Sequence, residues 1–255
     1  MQRVHIVGCR RSGTTLMMEL MWQSYAFSGR HEHEISVFEP IPAGETLYLT
    51  KKPPDTRRIH GVFQADPNLY LIAMLRDPRA VITSRHESKP DVYFAGYLRW
   101  REYIDAIERL HDHPRFILIR YEDLLTDPDT VQTRISKQFP FLAEKRKFSV
   151  YPEGADVSDA AAQSLNGVRP FDTSRIDGWR AHLPRVNGQL RDHPNMPIDL
   201  ILTGYEENDE WTKVLEGVGY YTQEYKDKGP GLSRRLESSF RFWLKTQRYL
   251  RALER

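Results

Sequence analysis

The sequence predicts an α/β domain: a central parallel sheet flanked by helices on both faces. Three observations carry that expectation. Short apolar runs alternate with segments of helical period along the chain. The first run, Val4-His5-Ile6-Val7, passes through a glycine-rich turn directly into a helical pattern. The chain has 255 residues, 40% of them hydrophobic, which is enough for one sizeable core.

Each element has a local reason. Val4 to Val7 is a short, partly β-branched strand ending at Gly8, and Leu16 to Tyr25 follows as a helix with Leu16 and Leu20, and Met17 and Met21, at helical spacing. Residues 26 to 46 read as irregular, with Gly29, Pro40, Pro42 and Gly44. Leu47 to Thr50 is a second strand stopped by Pro53-Pro54, and Tyr70 to Leu75 is a buried strand. Asp77-Pro78 opens the next helix, because Asp caps well and Pro suits the first helical position. Tyr97, Trp100, Ile104, Ile107 and Leu110 mark an amphipathic helix; Phe116 to Ile119 is a strand and residues 131 to 143 a helix. Residues 152 to 178, rich in small and polar residues, read as a loop or lid, and Ile198 to Leu202 as the start of a helix.

Gly229-Pro230-Gly231 is a break. Residues 1–225 are thus expected as one α/β domain and 226–255 as a basic amphipathic C-terminal helix. Its apolar positions, Leu232, Leu236, Phe240, Trp243, Leu250 and Leu253, suit a helix packed on the domain, or one touching a membrane surface or a partner.

Composition narrows the function. Lys plus Arg total 37 against 35 Asp plus Glu, a net charge of +2, which argues against a general nucleic-acid binder. No run of about 18 apolar residues is present, so no transmembrane helix is expected. Residues 1 to 7 carry too short an apolar stretch for a secretory leader, and Cys9 is the only cysteine, so a reducing, cytoplasmic setting is expected.

Gly8 to Thr15 reads G-x-x-x-x-G-T-T. This is P-loop-like in spacing, but Thr14 stands where a nucleotide triphosphatase carries lysine. Backbone amides in the turn and the positive end of the following helix favour an anion. Ser12, Thr14 and Thr15 add hydroxyls, and Arg10 and Arg11 add charge that can fork onto phosphate oxygens. Without the lysine the loop suits holding a 5′-phosphate better than splitting ATP.

Arg10-Arg11-Ser12-Gly13-Thr14-Thr15-Leu16 resembles the 5′-phosphosulfate loop of sulfotransferases that use 3′-phosphoadenosine 5′-phosphosulfate (PAPS), in its R-S-G-T-T form. The departure is Arg10, where that family usually has Pro. A second stretch, an apolar strand running into Arg76-Asp77-Pro78-Arg79-Ala80-Val81 with Ser84 eight residues after Arg76, resembles the family's 3′-phosphate motif. A third, Arg120-Tyr121-Glu122-Asp123-Leu124, resembles its R-Y-E-D-L stretch and implies that Tyr121 lies near the adenine. A fourth, Ser174-Arg175 followed by Trp179, resembles its S-R-x-x-x-W segment and implies phosphate contacts from Ser174 and Arg175.

The resemblance implies sulfuryl transfer from PAPS to an acceptor hydroxyl on a sugar, a tyrosine, a lipid or a small metabolite. Arg11 falls on the residue that contacts the transferring group. Lys51, in Lys51-Lys52-Pro53, resembles the K-x-P segment of tyrosylprotein-like members and is a second electrophilic candidate. The base is sought in His31-Glu32-His33-Glu34, where Glu34 fits the family pattern best, Glu32 fits the raw distance equally well, and Glu39 is third. His31 and His33 alone do not make a metal site, and no metal is expected. Two other readings stay open here: a kinase or nucleotide hydrolase with an altered loop, for which Asp77 is the best magnesium carboxylate available, and a non-catalytic nucleotide-binding scaffold. The acceptor cleft is expected from residues 26 to 46, the Tyr97 and Trp100 helix and the loop at 152 to 178. Arg85, Arg99 and Arg101 hint at an acidic or polyhydroxylated acceptor.

Overall fold

The computed structural model describes residues 1–86, 89–151, 171–221 and 232–253. Its strands are β1 (Gln2–Gly8), β2 (Gly29–Arg30), β3 (Leu47–Lys51), β4 (Leu69–Leu75), β5 (Arg85–His86), β6 (Lys89–Tyr93) and β7 (Phe116–Arg120). Its α-helices are α1 (Thr14–Ser24), α2 (His60–Ala65), α3 (Pro78–Ile82), α4 (Tyr97–Glu108), α5 (Tyr121–Thr126), α6 (Pro128–Gln138), α7 (Leu183–Asp192), α8 (Met196–Leu202) and α9 (Leu232–Leu253).

The chain divides into two compact units. The first comprises residues 1–75, 103–172 and 230–255. It holds a five-stranded, fully parallel sheet in the order β2-β3-β1-β4-β7. Both faces are covered, as a parallel sheet requires. The register sets Val7 beside Ala73 and His5 beside Leu71, and these face a cluster with Ile59, Val62 and Phe63 near α2 and Ile107 and Leu110 at the end of α4. Val4, Ile6, Ile72 and Met74 alternate to the other face and are fully buried. Met17, Leu20 and Met21 of α1 are equally buried, and α1 packs against β1 and β3.

β1 and β4 are neighbours in the sheet, yet the chain leaves β1 toward β3 and leaves β4 toward β7. That reversal is a topological switch point, where open α/β sheets form their ligand crevice at the carboxyl ends of the strands. The residues immediately after β1 are those of the anion-binding turn.

Strands β1 and β3 carry a buried polar network. Arg3 donates from Nε to Thr50 Oγ1 at 3.0 Å and from its terminal nitrogens to the carbonyls of Val37 at 2.7 Å and Ser36 at 3.1 Å. Asp55 accepts from Ser36 Oγ at 3.0 Å and from the Val37 amide at 2.7 Å, and lies 3.4 Å from His5 Nε2. These bonds fix residues 36–37 against the sheet, which anchors the segment carrying the three candidate carboxylates.

The second unit comprises residues 76–102 and 173–229. It contains α3, the antiparallel pair β5-β6, α7 and α8. Arg185, fully buried on α7, ties it together: Nε reaches Ile82 O at 3.3 Å, a terminal nitrogen reaches Ala95 O at 3.1 Å, and the guanidinium lies over the Tyr93 ring. Helix α4 begins in this unit and ends in the first.

Two local expectations shift. The helix expected at 131–143 runs Pro128–Gln138, capped by the Asp127 side chain. It stops at Phe139 because Pro140 disfavours helical backbone in the residue before it. The stretch after Arg120, assigned no element above, is the short helix α5. Ser84, expected on a helix, lies two residues beyond the end of α3, where Thr83 donates its hydroxyl back to Arg79 O at 2.7 Å. Of the expected lid at 152–178, residues 152–170 lie outside the described residues; Thr173–Arg175 is a 3₁₀ turn.

Candidate active site

The loop after β1 is a turn that only particular residues can make. Gly8 adopts φ +134°, and a Cβ there would lie 2.4 Å from Met74 O of β4. Its amide donates to Thr56 Oγ1 at 2.8 Å, from the 3₁₀ segment Pro53–Arg58. Ser12 is fully buried, and its hydroxyl donates to Cys9 O at 2.5 Å. Ser12 therefore holds the turn closed from within. Gly13, at φ +87°, caps α1, and a Cβ there would lie 2.3 Å from the Tyr121 ring. Tyr121, first residue of α5, is thus packed directly on the loop. Arg11 is in the left-handed region at φ +67°, which side chains rarely adopt. Arg10 is exposed. Amides of this turn lie at the positive end of the eleven-residue α1, the ordinary setting for an anion.

Lys51 and Glu34 approach the same loop from the sheet edge. Lys51, the last residue of β3, donates from Nζ to Thr15 Oγ1 at 3.0 Å and lies 3.5 Å from Glu34 Oε1. Burial pushes the Lys51 ammonium below its usual range, against the pull of Glu34. Glu34 is brought there by backbone bonds along β3: His31 N to Leu49 O at 3.2 Å and Ile35 N to Lys51 O at 3.1 Å. The three carboxylates are thereby separated. Glu34 meets Lys51, Glu32 is exposed, and Glu39 pairs with Lys245 of α9 at 3.3 Å. His31 Nδ1 is engaged with the His33 backbone, and among the described residues no three His, Cys, Asp or Glu side chains converge as a metal site.

The second unit holds the other candidates. Arg76 follows β4 directly, and its carbonyl accepts from Trp100 Nε1 at 2.9 Å. Asp77 caps α3 and pairs in a fork with Arg79, with 2.7 Å between the Arg79 terminal nitrogen and Asp77 Oδ2. A capping carboxylate held by a guanidinium is poorly disposed to hold magnesium. Arg79 also pairs with Glu206 at 2.5 Å and lies over the rings of Trp179 at 4.3 Å and Trp211 at 4.8 Å. Ser174 and Arg175 are exposed on the turn that precedes Trp179. Tyr97 and Trp100 are buried, Tyr97 donating to Asp199, so they build the unit's interior rather than line an acceptor cleft. Arg99 pairs with Glu102 on the helix surface, and Arg101 pairs with Asp199.

Residues 22–140 match the model of the sulfotransferase family. No curated protein matches the chain at a significant level. Among solved structures, the sulfotransferase domain from the Synechococcus PCC 7002 olefin synthase is 17% identical, covering 71% of this chain and 88% of that one at a TM-score of 0.50, which shows a shared fold. The sulfotransferase domain from the curacin biosynthetic pathway is 16% identical, covering 70% and 90% at a TM-score of 0.48. Mouse sulfotransferase SULT7A1 complexed with PAP is 12% identical, covering 87% and 90% at 0.45. None of the described helices is long and apolar enough to cross a membrane.

Sequence reading missed Thr56, which accepts from the Gly8 amide behind the loop and whose only signal was one threonine among many. Ser12 was read as a loop hydroxyl, but its hydroxyl bonds inward to Cys9 O. Arg79 was read as part of a motif, without a partner. In the structure it stacks on Trp179, the tryptophan of the fourth motif, so two separate motifs meet through one cation–π contact.

Proposed function

We propose that this chain is a sulfotransferase that takes PAPS as donor and transfers its sulfuryl group to an acceptor hydroxyl. The observation that carries the proposal is the chain of groups Thr15, Lys51 and Glu34 beside an anion-binding turn that lacks the P-loop lysine. In this reading the turn's amides with Arg10, Thr14 and Thr15 hold the 5′-phosphosulfate, while Ser12 and Gly13 set the turn's shape. Tyr121 lies against the turn and supports the adenine. Arg76, Ser84, Ser174 and Arg175 bind the donor's remaining phosphate.

The reaction breaks the bond from sulfur to the phosphate oxygen and forms one from sulfur to the acceptor oxygen. Glu34 takes the acceptor's proton. Arg11 and Lys51 stabilise the negative charge that develops on the transferring group and on the phosphate oxygen left behind. Donors aimed at developing charge are worth about 2.7–4 kcal/mol each in an enclosed site. Lys51 suits this role because burial weakens its hold on water while Thr15 and Glu34 fix its direction.

The alternative of an ATP-splitting enzyme is disfavoured by Thr14 in the lysine position and by the pairing of Asp77 with Arg79. Calorimetric titration with 3′-phosphoadenosine 5′-phosphate, beside ATP with magnesium, tests the proposal. The expected result is tight binding of the 3′-phosphate nucleotide, weak binding of ATP, and loss of that preference in Arg76→Ala. Equal or better binding of ATP, unchanged in Arg76→Ala, would overturn it.

A further inference from the structure

Helix α9 has two faces with different surroundings. One is held by the first unit: Phe242 lies 5.3 Å edge-on to Phe38 with the Arg58 guanidinium 3.9 Å over its ring, and Tyr249 Oη donates to Asp66 at 2.5 Å. Lys245 adds its pair with Glu39. The helix is thereby fixed in rotation about its own axis.

The other face carries Phe240, 62% exposed, and Trp243, 56% exposed, with their rings stacked 6.0 Å apart at 21°. Two large aromatics left in water side by side are an unusual expense of apolar surface. Helical spacing sets Arg251 on the line of Phe240, with Arg241 and Arg248 about a quarter turn round the helix from it. All three are exposed. Along its 22 residues α9 carries Arg234, Arg235, Arg241, Lys245, Arg248 and Arg251 against the single acid Glu237, in a chain whose net charge is only +2.

We infer that this face of α9 docks on an anionic lipid surface, lying in the plane of the headgroups. The charge complementarity selects that occupant: an aromatic patch bordered by arginines needs an apolar layer beneath a negative one, which anionic bilayers supply. Trp and Phe suit that boundary because their rings favour the headgroup level. A second copy of this chain would bring Arg241, Arg248 and Arg251 against their own kind. A nucleic acid would match the charge, but it offers no apolar layer beneath that charge for Phe240 and Trp243 to enter. None of the described helices is apolar enough to cross the bilayer, so the contact is peripheral. Because the inward face stays on the first unit, docking needs no unfolding. The inference stands apart from the choice of sulfuryl donor and is tested without enzymatic turnover.

The test uses the full chain in vesicle flotation and tryptophan fluorescence, with pure phosphatidylcholine vesicles and with vesicles containing roughly 30% phosphatidylglycerol. The expected result is flotation with the anionic vesicles only, weakened by salt, with a blue shift in emission that Trp243→Phe removes. Arg248→Gln and Arg251→Gln should each weaken binding about fivefold, and Phe240→Ala with Trp243→Ala should abolish it. These side chains are exposed, and unchanged circular dichroism confirms that the variants fold. Absence of flotation at low salt would overturn the inference. So would sedimentation of the free chain as a dimer that the same variants dissolve, which makes the face a self-interface. Binding to a polyanion such as RNA as tightly as to the anionic vesicles, unaffected by Phe240→Ala, would overturn it too.

Discussion

Arg11 has a backbone that its side chain disfavours, and this can be measured. At φ +67° a residue with a Cβ costs about 1–2 kcal/mol relative to its relaxed backbone. Arg11→Ala and Arg11→Gly both delete the guanidinium and whatever it contacts, so comparing them isolates the backbone. Glycine relieves the strain but gains about 0.4–1 kcal/mol of freedom in the unfolded chain, which offsets part of the relief. The net expectation is that Arg11→Gly is more stable than Arg11→Ala by about 0.5–1.5 kcal/mol. In a chain of this size that is roughly 1–5 °C in midpoint temperature. Both variants should lose about 10²–10³-fold in turnover, the usual effect of removing one donor aimed at developing charge. The assay pairs scanning calorimetry with transfer kinetics on the same preparations. An Arg11→Gly protein no more stable than Arg11→Ala refutes the strain. Retention of turnover within about tenfold of wild type refutes the role assigned to the guanidinium.

Further outcomes follow from the same geometry. Gly8→Ala should cost about 3–5 kcal/mol, since φ +134° and a backbone oxygen 2.4 Å away add strain to overpacking; Gly44→Ala, at φ +90° but in open space, should cost only about 1–2 kcal/mol by urea melts. Glu34→Gln should depress turnover by about 10²-fold or more while Glu32→Gln leaves it near wild type, and the reverse ranking in initial-rate assays would reassign the base. Arg79→Met should destabilise by about 3–5 kcal/mol, because Asp77 and Glu206 lose a buried cation, and should weaken nucleotide binding in calorimetry. His5 is fully buried, and desolvation holds its imidazole below 6.5 despite Asp55. The unfolded chain therefore binds the extra proton first, so stability should fall as pH drops below about 6.5, at up to roughly 1.4 kcal/mol per pH unit. His5→Asn should remove that part of the slope in denaturant titrations.

The elements themselves were largely legible from local pattern. The β1, β4 and β7 runs are apolar because both faces of a parallel sheet are covered, and Asp77-Pro78 announced its helix by capping chemistry. Short helices such as α2 and α5 were not legible, since six residues give too little periodicity to distinguish from a turn. The end of α6 was missed although Pro140 marks it, because the apolar pattern continues past the point where backbone sterics stop the helix.

The sequence by itself determined the chemistry of the loop: glycines at the two strained positions, hydroxyls and arginines around them, and no lysine. It also pointed to the start of α1 as the place suited to an anion, because that expectation follows from backbone amides and a helix end. It could not choose among Glu32, Glu34 and Glu39, which share one short segment. Tertiary structure gave the three different surroundings. Pairing along β3 delivers Glu34 to Lys51, while α9 occupies Glu39. It also turned Ser12 inward and joined Arg79 to Trp179 across 100 residues of chain. Such partnerships depend on where distant segments pack, and local periodicity holds no record of them.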